Sequence, residues 1–181
     1  LLYLHGGGYV FGGLDSHRGL AARISAASGC AVFQVDYRLA PEHPYPAAPD
    51  DALKSFRWIR DNGPGRAGPA DRVFIAGDSA GGALTLLTTI AVRDAGEPLP
   101  VAAVTLSAWT DFAATGESAK TNREVDVLIS AIDDRLNDIM GGYLSGADPT
   151  SPNVSPLYAD FTGFPPLLMQ VGAYESLLDD T

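Results

Sequence analysis

Gly77-Asp78-Ser79-Ala80-Gly81 is the run of this chain with the clearest chemical content. G-x-S-x-G is the pattern of a nucleophile elbow, a sharp strand-to-helix turn that lifts a serine hydroxyl toward a substrate. The turn needs small residues on both sides, because a Cβ at either glycine would clash with the bent chain. The context fits, with Val73-Phe74-Ile75-Ala76 reading as a strand before the serine. Ala80, Ala83, Leu84, Leu87 and Ala91 make an apolar helical face after it. The amino end of that helix would also stabilise negative charge beside Ser79.

A second run, His5-Gly6-Gly7-Gly8-Tyr9, follows the first apolar stretch. Consecutive glycines let backbone N–H groups turn inward with no side chain in the way, as an oxyanion hole requires. The expected donors are two of Gly6, Gly7 and Gly8, joined by the N–H of Ala80. His5 precedes them and is expected to fix the loop rather than to act as a base. A dinucleotide site is excluded because Gly6-x-Gly8 leads to Phe11 rather than to a third glycine, and no Lys-Ser/Thr follows to make a P-loop.

These loops need elements to hold them. Short apolar or β-rich runs at 1–4, 31–36, 72–76, 101–106 and 167–171 alternate with longer helical patterns. Ser16 is a candidate cap for a helix with Leu20, Ile24 and Ala27 on its core face and Gly29 at its end. Asp50 is a candidate cap for another, carrying Ala52, Leu53, Phe56 and Ile59. This alternation predicts a parallel, right-handed α/β sheet, whose chemistry sits in loops at the carboxyl ends of the strands. Three of the five runs lead into such loops, the third being Gly172-Ala173-Tyr174-Glu175.

The segment 115–144 breaks the alternation with a helical stripe of Val125, Leu128, Ile129, Ile132, Leu136, Ile139, Met140 and Tyr143. Two readings are open for it: a lid facing a substrate pocket, or a helix packed on the core.

Composition bounds the alternatives. The chain has 181 residues, 46% hydrophobic and 19% charged, which suits one domain with a sizeable core and not a disordered chain. Twelve Lys and Arg stand against 22 Asp and Glu, a formal charge of −10, which excludes a nucleic-acid partner. Cys30 is alone, so neither an intramolecular disulfide nor a cysteine zinc site can form, and no metal is expected. The charge-free stretch 79–92 is shorter than the roughly 20 residues a membrane helix needs. With no signal peptide visible, a cytoplasmic location is the expectation. The chain opens on an apolar run without an initiator Met, and both ends are read as cut.

Taken together, His5-Gly6-Gly7-Gly8, Asp36-Tyr37-Arg38-Leu39-Ala40-Pro41-Glu42-His43-Pro44 and Gly77-Asp78-Ser79-Ala80-Gly81-Gly82 resemble the hormone-sensitive lipase family of α/β-hydrolases. Ser107-Ala108-Trp109-Thr110-Asp111, Ser155-Pro156-Leu157 and Pro165-Pro166-Leu167 extend the resemblance over nearly the whole chain, with Ala108 where the family often has Pro. The resemblance implies an α/β-hydrolase fold over 1–181 with a partial helical cap at about 113–146. It implies a serine carboxylesterase acting on short-chain esters through an acyl-enzyme, with no cofactor.

It also implies a catalytic acid in the loop after the run 167–171. Aligning the family's Asp-Pro-Leu-x-Asp pattern on Leu177 and Asp179 puts that acid at Glu175, with Asp179 the alternative. Asp36 and Asp78 are expected to be structural partners within their turns. The order in this fold is Ser, then acid, then His. The histidines of this chain, His5, His17 and His43, all precede Ser79, so the general base is expected outside it and the chain by itself is expected to be inactive. A lactone hydrolase of the same family, or a non-catalytic receptor on a hydrolase fold, are the other functions the resemblance admits. A homodimer through a downstream edge strand would leave no mark in this sequence.

Overall fold

The apolar residues that open the chain take a central place in a sheet. The computed structural model describes residues 1–66 and 68–181. Its strands are β1 (Leu2–Leu4), β2 (Phe33–Gln34), β3 (Ile75–Asp78), β4 (Ala103–Leu106) and β5 (Leu167–Gln170). They form one sheet in the order β2-β1-β3-β4-β5, with every neighbouring pair parallel. Leu2 is paired with Phe33 on one side and Ile75 on the other, and Leu2 and Leu4 are fully buried. Each such leucine contributes about 1.5–3 kcal/mol by leaving water.

All five expected strands are present, with shifted ends. The run 31–36 pairs only over two residues. β3 continues to Asp78, beyond the expected 76, because Gly77 and Asp78 still pair with Thr105 and Leu106. The sheet is therefore regular up to the residue before Ser79.

Helices α1 (Leu14–Ser28), α2 (Ala47–Asp61) and α3 (Ala80–Asp94) fill the first three connections. α1 begins before the expected cap: Ser16 lies in its first turn, where its hydroxyl accepts the Gly13 N–H at 3.0 Å and donates to the Gly13 carbonyl at 2.9 Å. Its core face is also displaced by one residue, since Ala21 is buried while Leu20 and Ala27 are exposed. One residue is 100° of helical rotation, enough to turn Leu20 to solvent. Gly29 ends α1 in the left-handed region, as expected. α2 starts at Ala47, so Asp50 is a first-turn carboxylate favoured by the helix dipole rather than the cap, while Ala52, Phe56 and Ile59 are buried. α3 is buried on nearly all sides and packs on β1, β3, β4 and α2.

The chain leaves β1 toward β2 and leaves β3 in the opposite direction, toward β4. Right-handed crossovers then put α1 on one face of the sheet and α2 with α3 on the other. The carboxyl ends of β1 and β3 diverge at this switch point, and the crevice between them is where an open α/β sheet binds its ligand. Both glycine runs lie there.

Between β4 and β5 the chain forms α4 (Ser118–Thr121) and α5 (Val127–Leu144). Asp126 caps α5, its Oδ1 accepting the N–H groups of Leu128 and Ile129, both at 3.0 Å. The apolar stripe divides between the core and a cavity. Tyr143 is buried and stacks on Tyr9 with ring centroids 3.8 Å apart, so the last turns belong to the core. Leu128, Ile129, Ile132, Ile139 and Met140 instead line a cavity, and Val125 is exposed. The side chain of Leu136 lies outside what the structure describes.

Candidate active site

Ser79 sits at φ 50° and ψ −121°, a left-handed conformation that costs a non-glycine residue about 1–3 kcal/mol. The surroundings hold it there. Its N–H donates to the Leu106 carbonyl at 2.9 Å, and its carbonyl accepts the N–H groups of Trp109 at 3.0 Å and Ala83 at 3.2 Å. The flanking glycines are required because backbone passes against them. A Cβ at Gly77 would lie 2.6 Å from the Leu4 carbonyl oxygen, and one at Gly81 would lie 2.6 Å from that of His5. β1 is thus wedged against the elbow. Ala108 completes the fit, since a Cβ on Gly82 would lie 2.7 Å from the Ala108 methyl.

In the other loop, Gly7, Gly8 and Tyr9 have φ of 127°, 58° and 64° in succession. The three glycines are not equivalent. The Gly6 N–H donates to Asp78 Oδ1 at 3.1 Å and is therefore committed. Among the described residues, the amides of Gly7, Gly8 and Ala80 donate to no acceptor. Of the three glycine amides expected as candidates, those of Gly7 and Gly8 are uncommitted among the described residues, while Asp78 takes up that of Gly6. Ala80 is fully buried at the first position of α3, where a free amide is inherent to the helix start.

Asp78 ties the two loops together, its Oδ1 also accepting the Tyr3 hydroxyl at 2.8 Å. His5 is buried, its Nδ1 is 2.8 Å from the Gly6 carbonyl, and its ring stacks on Tyr37 at 4.2 Å. The Tyr37 hydroxyl donates to the His5 carbonyl at 2.7 Å. Burial pushes the His5 imidazole below its ordinary pKa, outweighing the Gly6 carbonyl, which favours the protonated form. A neutral ring donating from Nδ1 braces the loop. His43 is exposed, and His17 contacts Asp78. Among the described residues, Ser79 Oγ has no hydrogen bond to any of these imidazoles.

A cavity of about 390 Å³ opens over Ser79 and the glycine loop. Phe11, Trp109 and the apolar face of α5 contribute its walls. The wall is close: a Cβ on Gly8 would lie 3.3 Å from Ile139 Cγ2 and 3.7 Å from the Trp109 ring. No three His, Cys, Asp or Glu side chains among the described residues are grouped to hold a metal ion.

The loop after β5 is organised differently. Glu175 is half-buried and its Oε1 accepts the Gly172 N–H at 2.7 Å, bracing its own turn. Ser176, Leu177 and Asp180, not Glu175, line the cavity. Asp179 is bound to α4, its Oδ2 accepting the Ser118 N–H at 2.8 Å and its own N–H donating to Ser118 Oγ at 3.0 Å. Asp180, which carries no expectation from the sequence, is buried. Its Oδ2 accepts the N–H groups of Thr110 and Asp111 at 2.7 and 2.8 Å. Burial pushes its pKa up to about 6 against the effect of those donors.

Asp111 and Asp126 show the opposite balance. Burial acts to raise both, yet donors hold both below the ordinary carboxylate range: Thr115, Tyr158 and the Ala113 amide at Asp111, and the amides of Ile129, Ser176 and Leu128 at Asp126.

This geometry is that of a known fold family. The family model described as alpha/beta hydrolase fold matches residues 1–181, and the chain belongs to that family. It is similar to an acetyl-hydrolase of Streptomyces hygroscopicus, 46% identical over 180 residues, covering 99% of this chain and 58% of that protein. Among solved structures it is similar to an esterase from the bacterial hormone-sensitive lipase family, at 48% identity and a TM-score of 0.88, covering 99% of this chain and 59% of the other. It is also similar to EstE5 in a crystal soaked with p-nitrophenyl butyrate, at 45% identity and a TM-score of 0.88, covering 99% and 58%. The resemblance read from the glycine and serine motifs is borne out. The chain spans about three-fifths of the length of these relatives.

Proposed function

We propose that this chain is the nucleophile-bearing core of a serine carboxylic-ester hydrolase. The observation that carries the reading is the meeting, at one switch point, of a serine forced into a left-handed turn with three uncommitted backbone amides. In this mechanism Ser79 Oγ attacks the ester carbonyl and the amides of Gly7, Gly8 and Ala80 receive the oxyanion. Collapse of the tetrahedral intermediate expels the alcohol, and water then cleaves the acyl-enzyme. A histidine following residue 181 in the whole protein takes the serine proton and delivers it to the leaving alcohol. Glu175 orients that imidazole. The bond from Glu175 to the Gly172 amide supports this role by fixing the carboxylate's turn while leaving Oε2 uncommitted among the described residues.

The segment at about 113–146 acts as a partial cap, and the apolar face of α5 accepts the hydrophobic part of a short-chain ester. The soaking of the similar EstE5 with p-nitrophenyl butyrate supports an ester of that size as the assay substrate.

The test uses the whole protein. A fluorophosphonate probe is expected to label Ser79, and Ser79→Ala is expected to abolish labelling and lower kcat on p-nitrophenyl butyrate by about 10⁶-fold. Residues 1–181 alone are expected to show no turnover. Unlabelled Ser79 in active whole protein would overturn the reading.

A further inference from the structure

The Asp78 carboxylate has one partner that the catalytic scheme leaves without a role. Its Oδ1 holds the Tyr3 hydroxyl and the Gly6 amide, while its Oδ2 lies 3.3 Å from Nε2 of His17, on α1. A carboxylate only accepts, so Nε2 carries the proton. The other ring nitrogen, Nδ1, lies 2.9 Å from Ser16 Oγ, which is itself bonded to the Gly13 backbone. The Ser16 hydroxyl has one proton for that nitrogen and the Gly13 carbonyl together, so the contact that orients the ring is the one from Nε2 to Asp78. The side chains of His17 and Asp78 are only 18% and 25% exposed, and both line the Ser79 cavity. The carboxylate also depends on the glycine beside it: a Cβ on Gly6 would lie 3.1 Å from its Cγ.

An acid directly before the nucleophile is electrostatically awkward. A negative charge beside the amides that must receive an oxyanion opposes the charge developing in the transition state. It also offers those amides a competing acceptor. Both penalties grow when the second carboxylate oxygen is free to turn. Resting on the ester-hydrolase reading, we infer that His17 is a positioning residue for the reaction. By donating from Nε2 it fixes the Asp78 carboxylate in the orientation that occupies the Gly6 amide and leaves those of Gly7 and Gly8 to the oxyanion. It acts from α1, without touching the reacting atoms.

This role acts on the transition state and not on substrate binding. The whole protein is assayed on p-nitrophenyl butyrate, with active sites counted by fluorophosphonate labelling so that misfolded molecules drop out. His17→Ala is expected to lower kcat per labelled site by about 10- to 100-fold, with KM held within roughly twofold. His17→Gln, which can present an N–H at similar reach, is expected to recover most of that loss. In an Asp78→Asn background, the effect of His17→Ala is expected to shrink, because the two act through one carboxylate. The inference is overturned by an unchanged kcat in His17→Ala, by a rise in KM alone, by His17→Gln as slow as His17→Ala, or by full additivity with Asp78→Asn. Wild-type protein that fails to label at Ser79 overturns the hydrolase reading itself, and this inference with it. That outcome is distinct from the other four, all of which begin from labelled enzyme.

Discussion

The two halves of the cavity floor are held in place by different forces. Around Ser79 and the glycine loop the constraint is steric: β1 backbone lies against Gly77 and Gly81, Asp78 against Gly6, and Phe11 against Gly7. Around the loop after β5 the constraint is electrostatic. Asp180 gathers the amides of Thr110 and Asp111, Asp126 those of Leu128, Ile129 and Ser176, and Asp179 that of Ser118. Each of these carboxylates joins the loop after β5 to the segment between β4 and β5. A close-packed backbone tolerates no added atom and is indifferent to pH. A carboxylate clamp tolerates changes of shape but depends on protonation. Ser79 and the amides proposed to face it, which in that role need the tighter geometry, lie on the steric side.

The contrast breaks most sharply at Gly81. Gly81→Ala in the whole protein should prevent folding or destabilise it by at least about 4 kcal/mol, because the new methyl has only backbone to displace. Soluble yield and the urea midpoint measure this, and a midpoint near wild type would show that β1 can move away from the elbow.

Asp180→Ala comes next. It strands two buried amides at about 1–3 kcal/mol each, whereas Asp180→Asn keeps an acceptor and should lose less than half as much. Thermal unfolding distinguishes the two variants, and equal losses would mean that the charge rather than the acceptor matters.

The pH dependence sharpens the comparison further. Asp126 and Asp111 have folded pKa values below their unfolded ones. Their contribution is present above the ordinary carboxylate value and is lost as pH falls through the lowered folded values. Asp180 has the opposite sign. With a folded pKa of about 6, the folded state holds its proton more tightly than the unfolded chain, so stability declines as pH rises from about 4 to about 6. Asp180→Asn should therefore flatten the stability curve between pH 4 and 6, and Asp126→Asn should flatten it below pH 4. Denaturant midpoints taken across this range would show whether the two slopes respond separately.

The smallest stability effect belongs to Glu175. Glu175→Gln keeps an acceptor for Gly172 and should change the unfolding free energy by no more than about 0.5 kcal/mol, while lowering whole-protein kcat by about 10⁴-fold. A stability loss comparable to that of Asp180→Ala would place Glu175 among the structural clamps.

What the sequence by itself determined is the steric half. Gly77, Ser79 and Gly81 lie within five residues, and Gly6 to Gly8 are consecutive, so the strain and close approach they permit are written in local spacing. The parallel α/β sheet followed from the same alternation of short apolar runs and helical patterns, while the strand order did not. The misplaced details were those where a residue's role depends on what faces it: the shifted face of α1 at Ala21 and the divided stripe of α5. Only the tertiary structure decided the electrostatic half. Asp180 meets Thr110 across 70 residues, and the polar ties that cross the steric half are equally distant, Asp78 meeting Gly6 across 72 residues and His17 meeting Asp78 across 61. A carboxylate in a sequence is the same letter whether it faces water or two orphaned amides. Which of these it meets is fixed when the sheet brings distant loops together at one edge.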